Sequence, residues 1–153
     1  MKHKVIRITL VAIEAFIGLG AIFGGIALLT GAFNFEQWLP VAWLQGTPFS
    51  GYTIPGLLLL IVVGGGMLLA ATTVFVKREW AVLLSAAMGL VMIGFEVVEV
   101  AIIDRYTQAI VPPTIVQQIL MSTLGLLIFG LAGYLWMREY RSHSFLSRHI
   151  SHA

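Results

Sequence analysis

Apolar residues run along this chain in four long blocks, about Val5 to Ala32, Ile54 to Val76, Trp80 to Ile103 and Ile115 to Met137. Each block holds the roughly 20 residues that a helix needs to cross a hydrocarbon layer about 30 Å thick. In lipid every backbone polar group must be paired internally, so only helices and closed barrels span it. Runs this long and this continuously apolar predict helices. The pattern therefore predicts an all-α membrane protein: one four-transmembrane-helix bundle over 1–153, with helices at about 5–32, 54–76, 80–103 and 115–137 and a basic tail over 138–153.

The first block follows Lys2, Lys4 and Arg7, as a secretory signal would. It is about twice the usual apolar length, and no A-x-A site follows it, so it reads as a retained helix. Pro55 fits a first helical turn, where its missing N–H costs nothing. In "PPTIVQ", Thr114 reads as the N-cap of the fourth helix and Gln117 as its capping-box partner. Trp80, Tyr106, Tyr134 and Trp136 fall near the expected membrane boundaries, where amphipathic rings settle.

Composition agrees with the pattern. The chain is 59% hydrophobic and 10% charged, against about a quarter charged in soluble domains. So little charge leaves lipid as the solvent for most of the surface. Eight of the nine Lys and Arg residues lie at the N-terminus (Lys2, Lys4, Arg7), at the middle turn (Lys77, Arg78) or in the tail (Arg138, Arg141, Arg148), and only Arg105 lies in the other two connections. The positive-inside rule then predicts both termini in the cytoplasm. That distribution also accounts for the net charge of +2 without nucleic acid.

The connection between the first two helices has no Lys or Arg, and carries Phe33, Phe35, Glu36, Trp38, Trp43, Phe49 and Tyr52. At about twenty residues it is longer than a compact bundle requires, so it is expected to fold onto something. Two readings stand: an anchor at the membrane surface, or a lid over the outer mouth of the bundle. The stretch "LPVAWLQGTPFSGYTIPGLLLLIVVGGGMLLAA", followed by a basic turn and a Trp, resembles a group of small prokaryotic four-helix membrane proteins of uncharacterised activity. The resemblance is strongest over helix two and its flanks, and it implies the architecture and no activity. The chain departs from the group at Glu96 and Glu99, where the group's pattern looks more like Trp and Gln.

Three acids fall inside the expected spans: Glu14, Glu96 and Glu99. A charge at the centre of a bilayer costs about 2.5–3.5 kcal/mol on insertion scales, so each acid must be shielded, near an interface or protonated. Glu96 and Glu99, one turn apart, are expected to share a proton and titrate as a coupled pair. Ser85, Gly89, Met92, Glu96, Glu99 and Ile103 form one stripe on helix three, and Glu14, Gly18, Ala21 and Gly25 form another on helix one. At 1.5 Å per residue, Glu14 stands about 10 Å and Glu96 about 24 Å from the cytoplasmic edge. Gln118 and Ser122 of helix four reach the level of Glu96, while Thr72 and Thr73 of helix two are the polar groups nearest the height of Glu14. The expectation is an outer polar site of Glu96, Glu99, Gln118 and Ser122, with Glu14 as a separate inner acid; in a structural reading, water or Arg7 would reach Glu14 from the cytoplasmic side. The alternative is a purely structural role for all three acids.

The chain has no cysteine, which removes disulfides and thiol chemistry. His3, His143, His149 and His152 all lie near the chain ends, so no span offers a haem ligand pair, and no Lys lies within a span to hold a retinal. No P-loop, HExxH or GxSxG occurs. No cofactor, metal site or catalytic residue is therefore expected. The leading reading is a non-catalytic accessory or interaction bundle, with the lipid bilayer, a second copy or another membrane protein as partner. The alternative is a proton- or cation-coupled transporter or channel using Glu96 and Glu99. A Glu in the first of four helices is similar to the small multidrug resistance transporters, although the charge bias and long loop differ. A lipid-directed enzyme beneath the aromatic loop is the third option.

Overall fold

A computed structural model describes residues 2–32, 40–45, 48–107 and 112–141. Helix α1 covers Lys2–Thr30. Helix α2 covers Thr53–Val76, α3 covers Glu79–Thr107, and α4 covers Pro112–Trp136 and continues in wider π turns over Met137–Arg141. Four of the described helices are long and apolar enough to cross a membrane, and no strand occurs among the described residues. Glu36, Phe33, Phe35, Trp38 and the tail histidines His143, His149 and His152 lie outside the described residues, as do the side chains of Trp43, Ile103, Arg105 and Tyr106.

The helix ends follow from local chemistry. Gly31, at φ 68°, takes the left-handed position that closes α1. Lys77 does the same for α2 at φ 53°, which leaves only Arg78 before α3 begins. Helix α4 opens on Pro112 and Pro113, residues suited to a first turn. Thr114 is therefore already helical and does not precede the helix as an N-cap would, while its side chain lies outside the described residues. The two prolines begin the helix before the threonine is reached.

The helices pack as two hairpins. The broadest contacts join α1 to α2 and α3 to α4, and narrower ones join α2 to α3 and α1 to α4. Glycine sets the spacing inside each hairpin. A Cβ at Gly25 would stand 2.8 Å from the Gly56 carbonyl oxygen, and one at Gly89 would stand 2.8 Å from that of Gly125. Gly64 sits equally close to α1, whereas Gly66 leaves room for the Met88 side chain of α3. The run of three glycines is thus used on two sides. Around Gly64 the backbone of α2 widens into π turns over Leu58–Gly65.

The side-chain distribution is the reverse of a water-soluble protein. Large apolar residues point outward, among them Phe16 at 63% and Val116 at 68% exposure. The interior holds small and mid-sized apolar residues together with Arg7, Glu14, Ser85 and Glu96. Soluble proteins rarely leave contiguous apolar surface on this scale, and such a face is compatible with a membrane-spanning bundle.

Candidate functional site

Helical periodicity on α3 carries the polar groups inward. Ser85, Gly89, Met92 and Glu96 are all buried, and Glu99 is half-buried at the end of the same stripe. Glu96 is 3% exposed and its Oε2 has no hydrogen-bond partner. Glu99 faces the side chain of Gln118 across the α3–α4 seam. Ser122, one turn further along α4 from Gln118, is half-buried.

The connection between α1 and α2 reaches this same end of the bundle. Residues Val41–Leu44 form a short 3₁₀ turn that packs on α3, with Leu44 buried. The Tyr52 hydroxyl donates to the Pro40 carbonyl at 3.2 Å and so ties the turn to the start of α2. Burial, and then the nearby Glu99 carboxyl, push the Tyr52 phenol up, which keeps it a donor. Glu96, Gln118 and Tyr52 are thus all neighbours of Glu99, and the short turn at Val41–Leu44 packs on the same helix α3. Tyr52 is the member that helix spacing alone does not supply.

Glu14 lies apart from that group. It is 0% exposed, and neither carboxyl oxygen has a partner in hydrogen-bonding geometry. The polar side chain beside it is Ser85 of α3, in place of Thr72 and Thr73. The Thr73 hydroxyl donates to the carbonyls of Leu69 and Ala70, and the exposed Thr72 also donates to Leu69. The threonine side chains close on their own helix.

The end where α1 begins and α4 finishes is clasped by charge. Arg7 is 4% exposed, and its guanidinium donates to the Val74 carbonyl and, at 2.5 Å, to Glu139 Oε2. His3 Nδ1 meets the other Glu139 oxygen at 2.8 Å. Arg7 is therefore turned toward the α2 and α4 ends and away from Glu14. It shares the inward stripe of α1 with Glu14, seven residues on, and that spacing was the available signal that it would be buried. A second tie runs from Trp136 Nε1 to Glu79 Oε1 at 2.8 Å and holds the start of α3 to α4. Trp136→Phe is expected to cost about 1 kcal/mol, the net worth of one such bond, read as a small drop in the unfolding midpoint in detergent.

The chain matches no protein-family model, no curated protein and no solved structure. Its function is read from its own residues.

Proposed function

We propose that the protein is an integral membrane bundle that crosses the cytoplasmic membrane four times, with both termini in the cytoplasm, and that carries protons or small cations through the carboxyls Glu96 and Glu99. One observation carries this reading: Glu96 Oε2 is buried without a partner. A structural carboxylate in low dielectric normally collects hydrogen bonds, because an unpaired buried charge is costly. A carboxyl left bare in the interior has capacity for a transferable hydrogen ion or cation.

The neighbours fit that role. Glu99 stands one turn away, where two carboxylates repel and one bound positive charge relieves both. Gln118 offers an uncharged amide to Glu99. The tethered turn at Val41–Leu44 supports reading the loop as a lid over the outer mouth, since an anchor at the membrane surface would have no need to bury Leu44 against the bundle.

The test is flux. In proteoliposomes with a pH-sensitive dye inside, an imposed proton gradient is expected to collapse through the wild-type protein. Glu96→Gln is expected to slow that flux at least about tenfold, the effect of removing a group that must bind and release a proton. Equal flux in the two proteins would remove the proposal. Absence of flux in both favours the accessory or interaction bundle, a reading supported by the close glycine packing inside each hairpin.

A further inference from the structure

Glu14 has no part in the outer site, yet it is the most completely enclosed acid among the described residues, at 0% exposure with both oxygens bare. Leu10, Met67, Val82, Ile128 and Ala132 belong to the same fully buried core. An acid in such a place can exist in three ways. It can be ionised and alone, ionised around a metal cation, or carrying a hydrogen ion.

The first state is the costliest. An isolated carboxylate in an apolar interior loses its hydration with nothing in return. Arg7, the buried cation on the same helix, is already held by Glu139 and the Val74 carbonyl. The remaining buried acid, Glu96, lies eleven residues along α3 from Ser85, about 16 Å away along the helix axis. The buried polar or charged side chains among the described residues are Arg7, Glu14, Ser85 and Glu96. No buried counter-charge is therefore aimed at Glu14 from α2, α3 or α4.

The second state lacks ligands. A hard cation such as calcium or magnesium takes about six or more oxygens. The side chains at this place supply the two carboxyl oxygens of Glu14 and the one hydroxyl of Ser85. Among the described residues no group of three His, Asp or Glu side chains is placed to hold a metal ion.

The third state remains. A carboxylic acid carries no charge to be solvated, so the lack of donors around Glu14 costs it far less than it would cost a carboxylate. The Ser85 hydroxyl beside it lies 3.4 Å from the Ala81 carbonyl of its own helix.

We infer that Glu14 is held as a carboxylic acid, a second hydrogen-ion site inside the bundle that lies beside Ser85 and is distinct from the Glu96–Glu99 group. Binding adds one hydrogen ion to one carboxylate oxygen, and no other bond changes. The site takes a hydrogen ion and no metal cation. The inference rests on the bundle standing in a bilayer, and it is independent of whether anything is transported.

The experiment is infrared spectroscopy of the purified protein in lipid nanodiscs at neutral pH. A carbonyl-stretch band of a protonated carboxylic acid is expected. Glu14→Gln should remove a component of that band, and the Glu96→Gln/Glu99→Gln double variant should retain it. Adding sodium or potassium chloride at fixed pH should leave the component unchanged. Ser85→Ala should move its frequency, because a methyl group replaces the polar neighbour of the acid. Should the Glu14 variant fail to fold, the Ser85→Ala shift decides alone. The inference is overturned by a band that Glu14→Gln leaves intact, by bleaching of the component on addition of either cation, or by an unmoved band in Ser85→Ala. Because no gradient is imposed, a protein that passes no protons across a membrane still gives the band, so failure of the flux assay and failure of this site are told apart.

Discussion

Replacing Arg7 with methionine is expected to lower the unfolding free energy by about 3 kcal/mol, the scale on which breaking one side of a buried ion pair is felt. Methionine keeps most of the aliphatic stem and removes the guanidinium. Two groups then lose their donor: the Val74 carbonyl at the end of α2, and Glu139 Oε2 on α4. Glu139 retains only His3. The graded variants separate charge from geometry. Arg7→Lys keeps the charge but presents a single ammonium where a fork reaches two partners, so an intermediate loss is expected. Glu139→Gln keeps an acceptor and removes the charge, with a loss of about 1 kcal/mol. Reversible unfolding in mixed micelles measures all three. An Arg7→Met protein as stable as wild type would mean that the clasp contributes nothing.

The second large effect concerns the glycines, and its sign differs between faces. At Gly25 an added Cβ meets the Gly56 carbonyl oxygen and Leu60 Cβ at 2.8 Å each, and at Gly89 it meets the Gly125 oxygen and the Phe129 nitrogen at 2.8 Å each. These are mostly backbone atoms and cannot swing away. Gly25→Ala or Gly89→Ala must push a hairpin apart, at a cost of about 1–3 kcal/mol, and valine more. Gly20 and Gly94 have no neighbouring atom within 4 Å of the same position. Alanine there should be neutral or stabilising by up to about 1 kcal/mol, since it only relieves the poor helix propensity of glycine. Thermal unfolding of the four single variants checks the contrast. A uniform response across all four would show that close approach does not set the hairpin spacing.

These expectations differ in how much of their basis was legible in the chain. The four helices were legible because an apolar run of some 20 residues has few other stable forms. The inward stripes were legible because helix geometry alone decides which residues share a face. That logic placed Glu14, Gly18, Ala21 and Gly25 together on α1, and Ser85, Gly89, Met92 and Glu96 together on α3, and all eight are buried. Among the glycines, the Gly20–Gly24 pair reads as lying on a neighbouring face, and Gly20 is indeed exposed.

Contacts between helices were less legible. Height along the bundle pointed to Thr72 and Thr73 as companions of Glu14, yet both hydroxyls return to their own backbone, and Ser85 takes the place. Rise per residue gives height and leaves the rotation of each helix undetermined. Arg7 read as a marker of topology, and its pairing with Glu139 joins residues 132 positions apart. No local pattern encodes such a distance. The long loop was recognisable as unusual, but the burial of Leu44 and the Tyr52–Pro40 bond are contacts that helix periodicity does not encode.

By itself, then, the sequence determined four apolar helices, the residues that share the inward stripes of α1 and α3, and the presence of acids on those stripes. These properties are local, set by hydrophobicity and by the 3.6-residue period. Only the tertiary structure decided the meetings that height left open: Ser85 with Glu14, and Arg7 with Glu139 and Val74. Those meetings depend on how each helix is turned about its own axis, and in this bundle that rotation is set by the close approach of glycine backbones across the hairpins.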